Sequence, residues 1–328
     1  MTVVDARSDA DVAAGPVFDS QPGASRARAV APIEDASAAP APEPRAPTAL
    51  EDLRVIVSEL AESGDLLKQL VLRDIRIRYK QAVLGFAWAV LMPAVIVLAG
   101  LAIRYAIANA GGLKLGMHHI AGMALKSVPW AFFAGCISMS TPCLTANGSL
   151  VTKVYFPREV LPLSAVLAQT FDSAIGLVLI TAVIPVFHLG VSAQLLWVPL
   201  LLLCLWMLAA ASALVLSCAN LFFRDVKYVV QVFLTFGIFV TPVFMDAAMY
   251  GPKGSRIVML NPVAPVLEGL RLVVVEHHDL LQPYVTPRGG FVVWHPWYLA
   301  YALGVATVGL VLGALVFHRA ERRFAEII

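Results

Sequence analysis

The chain has 328 residues, of which 59% are hydrophobic and only 14% charged, with a formal net charge of +2. A soluble domain keeps about a quarter of its residues charged. The composition therefore excludes an ordinary soluble protein and indicates a polytopic membrane protein, in agreement with a mean hydropathy of +0.78.

In chain order, residues 1–50 come first. Fourteen Ala and seven Pro fill 21 of these 50 positions. No continuous apolar core suits a signal peptide, so the stretch reads as an uncleaved, disordered cytoplasmic tail. Residues 51–82 follow as an amphipathic interface region. Leu67, Val71 and Ile75 recur at four-residue steps, with Lys68, Arg73 and Arg76 around them. This pattern predicts a helix lying on the inner leaflet, its cations drawn to anionic lipid at about 1 kcal/mol each.

Residues 83–328 form the membrane-spanning domain. A helix needs about 20 mostly apolar residues to cross the hydrocarbon core. Six segments qualify: 83–107, 121–146, 161–187, 194–219, 229–246 and 296–317. The stretch from Ile257 to Val275 is a weaker candidate. It holds Pro262, Pro265, Glu268 and Arg271, which lipid does not accommodate, so short re-entrant helices fit better. With six spans and both termini inside, seventeen Lys and Arg residues fall on the inner side and five outside, while Arg104 and Lys126 are expected to snorkel from the outer ends of spans. The fold class expected is an all-α polytopic membrane protein with cytoplasmic termini, in the cytoplasmic (inner) membrane.

Few residues carry obvious chemistry. Cys136, Cys143, Cys204 and Cys218 lie singly in apolar runs and read as packing residues. No metal site and no catalytic residue are expected. Asp172 is the one acidic residue deep in a span, where a carboxylate bonds across helices or stays protonated. Glu268 and Arg271, three apart, can pair on a short helix.

Three patches recur in a meaningful order. The first is Arg73-Asp74-Ile75-Arg76-Ile77-Arg78-Tyr79-Lys80-Gln81, running into Val83-Leu84-Gly85-Phe86-Ala87-Trp88 and Pro93. The second is Leu150-Val151-Thr152-Lys153-Val154-Tyr155-Phe156-Pro157-Arg158-Glu159-Val160-Leu161-Pro162. The third is Asn220-Leu221-Phe222-Phe223-Arg224-Asp225-Val226, followed by Thr241-Pro242-Val243-Phe244 and Asn261-Pro262. Together, over residues 54–328, they resemble the membrane subunit of type-2 ABC exporters of lipid-linked polysaccharides: O-antigen, capsule, teichoic acid and galactan permeases.

That resemblance implies an interface helix, six spans, and two short extracytoplasmic helices before the last span. It also implies a homodimer bound to a separate ABC ATPase subunit, which would hold ATP and Mg. No GxxxxGK[ST] loop is present in this chain, so hydrolysis would belong to that partner. Lys153, Val154, Tyr155, Phe156, Pro157, Arg158 and Glu159 resemble the family's ATPase-coupling segment, with Tyr155, Phe156 and Arg158 as a docking knob that Pro157 stiffens. The same segment also reads as an ordinary positive inside loop. Arg73, Asp74, Arg76, Arg78, Tyr79 and Lys80 are candidates for a diphosphate head group, since Arg offers forked donors to phosphate oxygens. They equally suit inner-leaflet lipid. Trp88, Phe233, Phe236 and Phe239 are candidate channel-lining aromatics, with lipid-facing packing as the alternative. Glu268 and Arg271 are a candidate outer gate.

The function expected is export of a lipid-linked glycan, with no enzymatic step in this chain and no nucleic-acid partner. The alternatives are an ABC exporter of drugs or lipids and a polyprenyl-phosphate-dependent membrane glycosyltransferase.

Overall fold

The computed structural model describes residues 48–80, 87–111, 117–154, 156–186, 189–287, 290–321 and 323–324. The expected tail up to residue 47, Tyr155 and the side chain of Trp88 lie outside the described residues.

The described fold is a helical bundle with one small hairpin. Helix α1 spans Ala49–Glu62 and α2 spans Gly64–Tyr79. Thr48 caps α1 with a complete capping box, its hydroxyl accepting from the Glu51 amide while the Glu51 carboxylate accepts from the Thr48 amide. The single interface helix expected over this region is thus two helices. Ser63 and Gly64 interrupt the rhythm, and the two helices take different partners: α1 packs on the last long helix and α2 on the third.

The long helices are α3 (Ala87–Gly111), α4 (Met117–Ser140), α7 (Val160–Val186), α8 (Val198–Phe222) and α12 (Pro296–Glu321). Four segments are long and apolar enough to cross a membrane: His118–Ser140, Val160–Val178, Ala193–Phe222 and Pro296–Glu321. Leu91–Ile103 and α9 (Val226–Val240) are apolar but shorter. Each of the six expected spans therefore falls on a helix, but two boundaries differ. The segment expected over 121–146 stops at Ser140 because Pro142 has no amide proton and bars its predecessor from helical geometry. A one-turn helix α5 (Cys143–Ala146) and a short α6 (Gly148–Lys153) follow. The segment expected over 229–246 ends at Val240, with Thr241 extended ahead of Pro242.

Two short helices precede the last span, as expected: α10 (Gly251–Val258) and α11 (Val263–Val274). Every residue of α11 is buried, against α4, α8 and α12. That environment makes the proline-containing segment acceptable, because protein supplies partners that lipid would not. An antiparallel pair, β1 (Tyr284–Val285) and β2 (Val292–Trp294), then leads into α12. It was not anticipated from the sequence. Trp294 is fully buried beside it and donates from Nε1 to the Leu280 carbonyl at 3.0 Å.

Helix α12 lies along α8. The contact is close because small residues meet there. A Cβ on Gly313 would stand 3.1 Å from the Ala211 carbonyl oxygen, and one on Gly309 3.6 Å from the Ala211 Cβ. Gly309 and Gly313 are four apart on one face, the spacing that lets membrane helices approach through van der Waals packing. The apolar core falls into two clusters. The larger gathers around α11 and Trp294; the smaller gathers around Leu70, Phe156, Leu161 and Phe317.

Candidate functional site

The basic end of α2 meets the middle of α7. Arg78 forms an ion pair with Asp172 and donates from Nη1 to Gln169 Oε1 at 3.0 Å. The Tyr79 hydroxyl donates to the other Asp172 oxygen. Asp172 is thus bonded across helices, one of the two outcomes open from the sequence. Partial burial pushes the Tyr79 phenol above its ordinary pKa despite the neighbouring Arg78, so it remains a donor. Arg73 pairs with Asp74 at 2.9 Å, while Arg76 and Lys80 are exposed. Arg78, Tyr79, Gln169 and Asp172 line a cavity of about 300 Å³ together with Met92 and Pro93 of α3. Its lining mixes polar and apolar side chains.

The segment from Lys153 to Glu159 joins α6 to α7. Lys153 and Val154 are exposed, but Phe156 is buried in the smaller core cluster. Phe156 therefore anchors the segment from inside rather than forming an outward knob. Arg158 reaches the end of α12, donating from Nη1 to the Glu321 carbonyl at 2.9 Å and lying 5.8 Å over the Phe324 ring. Its Nε stands 3.8 Å from Glu321 Oε1. Glu159 is buried and pairs with His318 at 3.2 Å. A cavity of about 690 Å³ opens between this segment, α1 and α12, lined by Glu59, Glu62, Phe156, Arg158, His318 and Glu321.

Sequence reasoning found only the Glu268–Arg271 pair of the third cluster and missed its other members. Lys126 has no exposed surface, so it does not snorkel. Its ammonium donates to Asp246 Oδ1 at 3.0 Å and stands 3.8 Å from Glu268 Oε2. Arg271 donates twice to Glu268 Oε1, at 2.9 and 2.7 Å, and once to Glu276 at 2.9 Å. His119 Nδ1 lies 2.8 Å from Asp246. Burial opposes the Arg271 charge, yet Glu268 and Asp246 outweigh it and hold the guanidinium above its ordinary pKa. The one available signal was a lysine placed a third of the way along an apolar helix, and an aspartate just past Thr241-Pro242.

The remaining candidates stand apart. Phe233, Phe236 and Phe239 project from α9 with 54–73% of their surfaces exposed in the single chain. Helix α9 touches only α4 and α8 among its stronger neighbours. Within the described chain its aromatic face is covered only where Phe239 meets the Phe244 ring, with centroids 5.5 Å apart.

Comparison with known proteins decides the family. The model of the ABC-2 type transporter family matches residues 65–275. The chain belongs to the ABC-2 type transporter family. Two relatives named O-antigen export system permease protein RfbA, both from Klebsiella pneumoniae, are 25% and 26% identical. Each alignment covers 80% of this chain and 95% of the relative. A third of the same name, from Myxococcus xanthus, is 25% identical over 68% of this chain and 85% of its own length. The matched region of this ABC-2 permease spans α2 to α11; it holds the Arg78–Asp172 cluster whole and the Lys126–Arg271 cluster except Glu276, and stops short of His318 and Glu321 in α12.

Proposed function

We propose that this permease exports a lipid-linked polysaccharide across the cytoplasmic membrane as a homodimer driven by a separate ABC ATPase subunit. In this reading all six apolar helices cross the membrane and both termini are cytoplasmic. The α2–α7 junction and the Lys153–Glu159 segment then face the cytoplasm, and α10, α11 and the hairpin face outward. The observation that carries the reading is end-to-end similarity to permeases whose names specify O-antigen export, covering 95% of two of them.

The geometry supports it in three places. The cavity beside Arg78 and Tyr79 offers a guanidinium and a phenol to a diphosphate, and apolar side chains such as Met92 and Val128 to a polyprenyl chain. Arg76 and Lys80, exposed on the same helix, supply further charge. The exposed face of α9 would line the path between two copies, where aromatic rings stack on sugar faces. The Lys153–Glu159 segment receives the push of the ATPase. Phe156 seats it in the core and Arg158 ties it to α12, so a push on it moves rigid helices instead of deforming a loop.

The test is purification of the tagged chain from native membranes in mild detergent, with mass spectrometry of its partners and an ATPase assay. A subunit bearing a Walker motif co-purifies in roughly equimolar amount, and Arg158→Glu weakens its capture and glycan export together. A folded Arg158→Glu complex that exports normally removes the coupling role. An intact dimer that never carries an ATPase removes the whole reading.

A further inference from the structure

Three potential metal ligands converge where the start of α7 meets the end of α12. Glu159 immediately precedes α7, and His318 and Glu321 lie three apart in the last turns of α12, hence on one face. One potential ligand atom from each lies within 4.8 Å of the others. Two carboxylates this close repel each other, and Glu321 sits at a helix C-terminus, where the dipole disfavours negative charge. A cation relieves both.

The protein's own cations do so incompletely. His318 serves one oxygen of Glu159, at 3.2 Å. Arg158 is occupied with Glu321 and its carbonyl. Among the described residues Glu159 Oε2 has no hydrogen-bond partner, although Glu159 is only 2% exposed. A buried carboxylate oxygen without a donor is costly, and buried groups of this kind call for an unseen partner. Glu59 and Glu62 of α1 line the adjoining cavity and add to its negative character.

We infer that Glu159, His318 and Glu321 form a binding site for a divalent metal ion of the zinc class, seated between α7 and α12. Two carboxylates and an imidazole suit such an ion, with water from the cavity completing the shell. Ligand atoms around tetrahedral zinc lie about 3.4 Å apart. Glu159 and His318 already meet that spacing, and the less buried Glu321 side chain closes the remainder. The cavity of about 690 Å³ is the entry path. A bound ion would lock the Lys153–Glu159 segment to the end of α12 by a bond stronger than the Arg158 contacts. The site stands whether or not that segment couples to an ATPase, because its test reads metal and not transport.

The experiment uses the full-length, tag-free chain in detergent, stripped with EDTA and titrated with Zn²⁺ by calorimetry, with elemental analysis of the product. Co²⁺ in place of Zn²⁺ reports the ligand field by its visible spectrum. The expected result is one Zn²⁺ per chain, with affinity reduced more than about 100-fold in His318→Gln and in Glu321→Gln. Glu159→Gln, tested for intact thermal unfolding, loses binding as well. Failure of the folded wild-type chain to take up Zn²⁺ overturns the site. So does unchanged binding in both α12 variants, which would place the ion elsewhere, for example at His118 and His119.

Discussion

The two ends of α12 handle charge in opposite ways. Near its start, Lys126, Asp246, Glu268 and Arg271 are withdrawn from solvent and satisfied by one another. Near its end, charges lie at the margin of a cavity, several are half-exposed, and one buried carboxylate oxygen lacks a donor. Buried ion pairs seldom add net stability over apolar packing, but breaking one partner is severe. The first end is therefore built to be immobile. The second keeps its groups available to water, ions or another chain, as suits a surface that meets a partner.

The largest effect that would break this contrast comes from Glu268→Ala. Glu268 is fully buried and accepts from Arg271 and from the Ala247 amide. Its loss takes both Glu268 hydrogen bonds from Arg271 and leaves the two buried cations to Asp246 and Glu276, and about 3–5 kcal/mol of stability goes with it. Thermal unfolding in detergent measures this. A loss below about 1 kcal/mol would mean that water already reaches the cluster.

Tyr79→Phe probes an intermediate case. The phenol donates to Asp172, which is buried, whereas Arg78 on the same carboxylate is only half-buried. Removing a hydrogen bond to a charged group costs about 1.5–3 kcal/mol. Export should fall along with stability if the adjoining cavity holds a head group. A variant that loses stability but exports normally would separate the cavity from the substrate.

Gly313→Val tests the rod that joins the two ends without touching a charge. The branched side chain would meet the Ala211 carbonyl and the Val215 side chain, and overpacking costs about 1–3 kcal/mol. Unfolding should shift while metal binding at the Glu159 site, referred to folded protein, stays unchanged. Loss of both would show that the two ends do not respond independently.

What the sequence made legible follows from what is local. Apolar run length located the helices, and the three-residue spacing of Glu268 and Arg271 gave their pair. The carboxylate of Asp172 was legible as either a cross-helix bond or a protonated group, because a lone charge in an apolar helix must find a partner or be neutralised. Its partners, some ninety residues away on α2, were not. The Lys126–Asp246 pair spans 120 residues, and no periodicity encodes it; the snorkelling reading failed because α11 packs over the lysine. Phe156 was misread as outward because its exposure depends on α2 and α12, not on its neighbours in sequence. The break at Ser63-Gly64 and the hairpin after Pro283 were local, and the turn residues that announce them were on the page.

The smallest expected effect is at Arg319, and it sharpens the contrast most cheaply. Arg319 bonds Asp52 of α1 through Nε and Nη2, both at 3.1 Å, but its side chain is 59% exposed. Exposed ion pairs contribute about 0–1 kcal/mol. Asp52 itself is buried, yet it lies in the first turn of α1, where the helix dipole supports a carboxylate without help. Arg319→Ala should therefore lower stability by no more than about 1 kcal/mol. A double-mutant cycle with Asp52→Ala should give a coupling of the same small size. A coupling near 3 kcal/mol, comparable to a buried pair, would show that α1 is clamped to α12 as firmly as Arg271 is to Glu268. The difference between the two ends would then lie in their geometry alone, and the freedom assigned to the Glu159 end would have to be given up.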